Sequence, residues 1–179
     1  MKKLSFLKPA ISLITVCVGI AALLAVVNFV TADRISENNQ KEKQMALSEI
    51  FDELATIENI ENNAFPKEIT EVGIIKNGEG ELVGRFVEVQ ATGFKGAITL
   101  IVGFDKSGKI ADVVCLEASE TPGIGTQATG KEYLIKYKQA SAETVKAVDT
   151  VSGATISSKA IKSGIESACN VEKAIREAK

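Results

Sequence analysis

The chain has 179 residues, 21 Lys+Arg against 23 Asp+Glu, no His, no Trp and three Cys, and these counts exclude several kinds of chemistry. Without His there is no catalytic triad, no His-ligated metal or haem and no imidazole acid or base. Cys17, Cys115 and Cys169 each stand more than 50 residues from the next, which excludes a CxxC-type metal, iron–sulfur or dithiol motif, and a net charge of −2 lacks the clustered basic surface that nucleic acid demands.

Lys2, Lys3 and Lys8 open the chain, and Pro9 to Ala32 follows as 24 residues without a charge, 18 of them apolar. At about 1.5 Å per residue, roughly 36 Å of helix crosses a hydrocarbon core of about 30 Å, so residues 9–32 are expected to be a transmembrane helix. The alternative is a cleaved signal peptide ending near Val30-Thr31-Ala32; the apolar region of such a peptide is only about 7–15 residues long, which favours a retained anchor. The lysines before the span, against Asp33, Arg34 and Glu37 after it, place residues 1–8 in the cytoplasm and 33–179 outside. That outer part carries 18 basic and 23 acidic residues. Outside the cytoplasm, Cys115 and Cys169 are open to two readings, one disulfide or two separate thiols. The span holds no Asp, Glu, Lys or Arg, so it has no ion-carrying group and reads as an anchor packing on partner helices.

Residues 33–64 read as a helical stalk, since Met45, Leu47, Ile50, Phe51, Leu54 and Ile57 recur at spacings of 3 and 4. Pro66 breaks the pattern, and residues 65–179 form the remaining domain. Glu71–Lys76 and Leu82–Thr92 around Asn77-Gly78-Glu79-Gly80 predict one hairpin; Ala97–Phe104 and Ile110–Leu116 around Asp105-Lys106-Ser107-Gly108 predict a second. A helix is expected over Lys131–Gln139, a strand over Val145–Val148, and a last helix over Ile156–Glu177 with Ile156, Ala160, Ile161, Ile165, Ala168, Val171 and Ile175 on one face. The class is α+β.

Two loops are more specific than this outline: Glu120-Thr121-Pro122-Gly123-Ile124-Gly125 after a Val-rich strand, and Ser152-Gly153-Ala154-Thr155, preceded by Asp149 and leading into the last helix. Either has an ordinary reading. Pro-Gly makes a turn, and Ser152, Thr155, Ser157 or Ser158 would cap a helix. The second loop also suits an anion, because a helix N-terminus offers free N–H donors and about half a positive charge. Gly153 and Ala154 place little bulk beside the Thr155 hydroxyl, which is therefore able to carry a phosphate as well as to bind one.

At these residues the chain resembles a known family: the covalently flavinylated FMN-binding domain of the G subunit of Rnf ion-translocating ferredoxin:NAD oxidoreductases and of the C subunit of sodium-translocating NADH:quinone oxidoreductases. The resemblance spans one N-terminal apolar segment, a helical stalk, the ETPGIG loop, D-x-x-SGAT and a terminal helix. A [ST]GAT tetrapeptide alone arises by chance in roughly one chain of this size in a hundred; ETPG about 30 residues upstream makes coincidence a poor explanation. The resemblance implies that Thr155 is bonded through its oxygen to the phosphate of FMN. It further implies that Glu120, Thr121, Gly123, Ile124, Gly125, Ser152, Gly153 and Ala154 belong to the cofactor pocket. Ile124 replaces the family's usual Leu, and Ala118 stands where Rnf-type members often have His.

The lack of chemically able side chains then has a reason, since a flavin carries electron chemistry that the protein need only position. The implied function is electron relay within a membrane-bound ion-translocating complex, with no catalytic residue and no metal ligand of its own. The implied partners are the other membrane subunits, a second flavin-bearing subunit among them, and a separate flavin transferase that uses FAD and magnesium for maturation. The short outer domain, without a large insertion, favours the Rnf type over the quinone-reductase type. The alternatives are the C subunit of the quinone reductase, a stand-alone tethered flavoprotein carrier or sensor, and a cofactor-free module in which SGAT is only a cap.

Overall fold

The computed structural model describes residues 7–52, 56–60 and 65–178. The chain divides into two units, Met1–Glu42 and Lys43–Lys179. The first consists of helix α1 (Leu7–Ile50) up to Glu42, and α1 from Pro9 is long and apolar enough to cross a membrane. Its two threonine hydroxyls in the apolar stretch are satisfied locally: Thr15 and Thr31 donate to the carbonyls of Ile11 and Val27, both at 2.9 Å, as an apolar surround requires. Beyond the apolar stretch Lys41 pairs with Glu37 one turn earlier at 2.7 Å. Lys2 and Lys3, on which part of the orientation argument rests, lie outside the described residues.

The second unit is built on a five-stranded antiparallel sheet in chain order: β1 (Thr56–Asn59), β2 (Ile69–Lys76), β3 (Leu82–Thr92), β4 (Ala97–Asp105) and β5 (Ile110–Ala118). Both expected hairpins are present, and their strands run one or two residues further at several ends. Asn77 and Asp105 shape the turns, each Oδ1 accepting from two backbone N–H groups. The strands are apolar on both sides because both faces are covered. One face, with Val87, Val89, Leu100 and Val102, packs under Ile161, Ile165, Ala168 and Val171 of α4 (Thr155–Glu177). Arg85 of β3 and Glu172 of α4 form a buried pair on this side at 3.2 Å.

The other face is closed by the end of α1: Ala46, Leu47 and Phe51 bury with Ile75, Phe86 and Ile101. Gly103 permits the approach, since a Cβ there would fall 2.4 Å from Ile50 Cγ2. Lys43 stands 4.9 Å over the Phe86 ring and pairs with Glu71 and Glu88.

Several local expectations are corrected. The helix expected to continue to Asn63 stops at Ile50, and Thr56–Asn59 pairs with β2 as an edge strand. Sheet pairing captures Ile57, whose spacing fitted a helix equally well. Leu54 and residues 61–64 lie outside the described residues. Met45 is exposed and Ala46 takes the buried position beside Leu47. The helix expected over Lys131–Gln139 is two short pieces after α2 (Thr126–Thr129): α3 (Lys131–Leu134) and a 3-10 turn over Ile135–Tyr137, ended by Gln139 at φ 65°. Val145–Val148 is not a strand but a 3-10 turn over Val145–Ala147, because Thr144 Oγ1 accepts from Ser141 N–H at 2.8 Å and curls the chain ahead of it. Ile156, expected on the buried face of α4, is exposed. Cys115 and Cys169 are free thiols.

Candidate functional site

The ETPGIG loop leaves the end of β5 and turns at Gly123, whose φ of 76° is open to glycine and strained for other residues. Thr126 Oγ1 accepts from Gly123 N–H at 2.9 Å, and Gln127 Nε2 donates to the Gly123 carbonyl at 2.7 Å, so the loop is pinned to the first turn of α2. Glu120 points inward and is 5% exposed. Its Oε2 accepts from Ser157 Oγ at 2.8 Å and its Oε1 from the Lys95 backbone N–H at 3.2 Å.

The SGAT loop meets this one at the N-terminus of α4. Gly153 has φ 83°, again the left-handed region. Ser158 then reaches back, accepting from Val151 N–H at 3.2 Å and donating to the Ala154 carbonyl at 2.9 Å, which closes the loop on itself. None of the four candidate hydroxyls caps the helix. The N-cap is Ala154, with no side-chain acceptor, so the first-turn N–H groups of α4 are left to whatever lies in front of them. Among the described residues Ser157 and Ser158 commit their hydroxyls within the fold, whereas Thr155 is exposed and its hydroxyl makes no such bond.

In front of that helix end is a cavity of about 390 Å³, a size usual for a cofactor. Of the residues singled out in the sequence, Glu120, Thr121, Ile124, Gly125, Gly153, Ala154 and Thr155 line it. Gly123 and Ser152 do not; they shape the two loops from behind. Phe94, Ile156 and Ser157 complete the wall and were not foreseen. Phe94, at the tip of the β3–β4 hairpin between Gly93 and Gly96, carried one legible signal: a large aromatic in a turn otherwise made of small and polar residues. Phe94, Ile124 and Ile156 are 69%, 55% and 56% exposed, an apolar rim around a polar floor. Such a cavity suits a flat, largely apolar group bearing an anionic end: N–H donors and the Thr155 hydroxyl on one side, apolar side chains on the other.

Behind the SGAT loop, the Tyr133 and Tyr137 hydroxyls meet at 2.8 Å with rings edge to face. Burial is the main cause that pushes both phenols above their usual range, so they stay protonated supports and not proton donors.

Comparison with known proteins agrees with this geometry. The family described as FMN-binding domain matches residues 93–170, from the Phe94 turn through most of α4. The RnfG N-terminal region matches residues 1–50. The chain is 30% identical over 173 residues to the G subunit of the Na(+)-translocating ferredoxin:NAD(+) oxidoreductase complex of Acetobacterium woodii, covering 84% of each chain. The chain belongs to the RnfG family. It is also 28% identical over 171 residues to the G subunit of the ion-translocating oxidoreductase complex of Methanosarcina acetivorans, covering 90% of this chain and 91% of that one. A shorter match, 35% over 91 residues, links it to the G subunit of the proton-translocating ferredoxin:NAD(+) oxidoreductase complex of Clostridium ljungdahlii, covering 46% and 49% of the two chains. Within the RnfG family both the apolar helix and the cavity have a place: a membrane protein with an FMN-binding domain.

Proposed function

We propose that this chain is the electron-transfer subunit of a membrane-bound, ion-translocating ferredoxin:NAD oxidoreductase, and that it carries FMN as a phosphoester on Thr155. The observation that carries the reading is the pairing of a free Thr155 hydroxyl with an uncapped helix N-terminus on the wall of a cofactor-sized cavity. FMN bound there supplies one- and two-electron redox chemistry that no side chain of this protein offers. The residues present fit the group. The first-turn N–H groups of α4 and its dipole favour the phosphate, Gly153 and Ala154 let it come close to the backbone, and Phe94, Ile124 and Ile156 offer apolar surface to a ring system.

The Thr155 hydroxyl makes no hydrogen bond to a side-chain base among the described residues, and attachment is assigned to a separate flavin transferase. With FAD as donor, the Thr155 oxygen takes the FMN phosphate and AMP leaves with the hydroxyl proton. The same reading places residues 1–8 in the cytoplasm, 9–32 across the membrane and the FMN domain on the outer face, where no cytoplasmic FMN pool replaces a lost cofactor. Its partners are the other membrane subunits of the complex, one of them carrying a second flavin.

The test is flavin fluorescence in the protein band of a denaturing gel, after expression with a flavin transferase. The wild-type band and the Thr150→Ala and Ser152→Ala bands fluoresce and the Thr155→Ala band is dark. A dark wild-type band refutes the proposal.

A further inference from the structure

The Glu120 carboxylate is the most unusual group in the cavity wall. It is almost wholly buried, and two chain segments besides its own loop converge on it: Lys95 N–H from the β3–β4 turn and Ser157 Oγ from the first turn of α4. Both are contacts that a carboxylate accepts. Among the described residues no Lys or Arg pairs with it. Space for it is made by two glycines, since a Cβ on Gly93 would fall 2.0 Å from Oε1 and one on Gly125 2.3 Å from Oε2. A carboxylate is thus built into a low-dielectric wall without a countercharge, at a cost in desolvation. A mere brace between loops is within reach of a neutral amide.

We infer that Glu120 is a tuning residue: its fixed negative charge in the cavity wall lowers the reduction potential of the flavin held by Thr155. The inference rests on the FMN reading above. An electron added beside a buried, uncompensated negative charge is disfavoured by Coulomb repulsion that water screens weakly. Glu120 therefore biases the site toward giving electrons up. Ser157 and the Lys95 N–H hold the carboxylate in place.

The experiment is a dye-equilibrated redox titration of the full-length, detergent-solubilised, flavinylated protein, with folding checked by thermal melting. Glu120→Gln removes the charge and keeps the shape, so its midpoint potential is expected to rise. Glu120→Asp and Ser157→Ala keep the charge, and their potentials are expected to stay or fall. A potential in Glu120→Gln that is unchanged or lower overturns the inference. So does a rise in either charge-retaining variant, because loosening of the pocket would then explain all three. That second criterion stands even if Glu120→Gln fails to fold. Wild-type protein without covalent flavin brings down the FMN reading itself, whereas a flavin-bearing Glu120→Gln with unchanged potential brings down only the tuning role.

Discussion

Gly125→Ala tests the packing of Glu120 without adding backbone strain. Gly125 has φ −63° and ψ −32°, ordinary right-handed geometry that alanine adopts without strain, so the added methyl acts only through what it meets. It meets Glu120 at 2.3 Å from Oε2, 2.9 Å from Cβ and 3.1 Å from Cδ. The carboxylate has to leave, and with it goes the charge-assisted bond from Ser157. Overpacking costs about 1–3 kcal/mol and the lost bond about 1.5–3 kcal/mol. The stiffer unfolded chain returns about 0.4–1 kcal/mol. The expected net loss is roughly 1.5–5.5 kcal/mol, which for a unit the size of Lys43–Lys179 lowers Tm by roughly 5–20 °C. Thermal unfolding followed by circular dichroism measures it. The decisive comparison is the double-mutant cycle with Glu120→Ala, which removes the Oε2 and Cδ contacts and leaves only the one to Cβ at 2.9 Å: there Gly125→Ala costs less, and the coupling exceeds about 1 kcal/mol. Additive effects would refute the steric reasoning, as would a neutral Gly125→Ala.

Two further outcomes follow from other parts of the domain. Burial above all, with Glu172 and Glu166 adding, pushes the Cys169 thiol from 9.0 up to about 12, and burial against an opposing Glu117 backbone contact pushes Cys115 up to about 11. In a Cys17→Ala background, both thiols resist a thiol-labelling reagent at pH 8 until guanidinium is added. Because these groups titrate higher in the folded than in the unfolded state, their contribution is fully present below pH 9 and is lost as pH rises from 9 through about 12. Tm therefore falls across that window, less so in Cys169→Ala. A Cβ at Gly123 meets no neighbouring atom, yet Gly123→Val forces a β-branched residue to φ 76°. It is expected to cost about 1–3 kcal/mol and to perturb the flavin absorption spectrum while leaving the Thr155 phosphoester intact. An unchanged spectrum would separate the ETPGIG loop from the pocket.

How far the sequence could be read depended on which interactions were local. The β2–β3 and β4–β5 hairpins were legible because Asn77 and Asp105 fix their turns within four residues. The α4 stripe was legible because Ile161, Ile165 and Ala168 repeat with the helical period. The fate of Ile57 was not, since a lone apolar residue at a spacing compatible with helix is reassigned by pairing to β2, an interaction between distant segments. The short α3 was equally hidden, its end set by Gln139 and Ala140 bonding to Ile110 of β5. In the cavity, the ETPGIG and SGAT residues announced themselves by composition, whereas Phe94 and Ser157 belong to it only because the chain brings the hairpin tip and the α4 terminus onto Glu120.

The proposed site is also where several features that lower stability come together. An Ala at the N-cap forgoes about 1 kcal/mol relative to Ser or Asp, although serines stand two residues before and three after it. Glu120 is buried without a countercharge. Three large apolar side chains face solvent within one rim, and Gly123 and Gly153 hold left-handed backbone. Elsewhere in the unit the buried charges are paired, Glu172 with Arg85 and the covered Lys43 with Glu71 and Glu88, although Arg85 Nε is left without a hydrogen-bond partner. On the reading proposed above, each exception beside Thr155 answers a different part of FMN. The uncapped N–H groups answer the phosphate, the left-handed glycines the close approach of the chain, the apolar rim the ring, and the lone carboxylate its potential. On that reading a flavin phosphate supplies the missing cap and a ring covers the exposed rim, so the flavin-bearing domain is expected to melt at a higher temperature than the flavin-free domain.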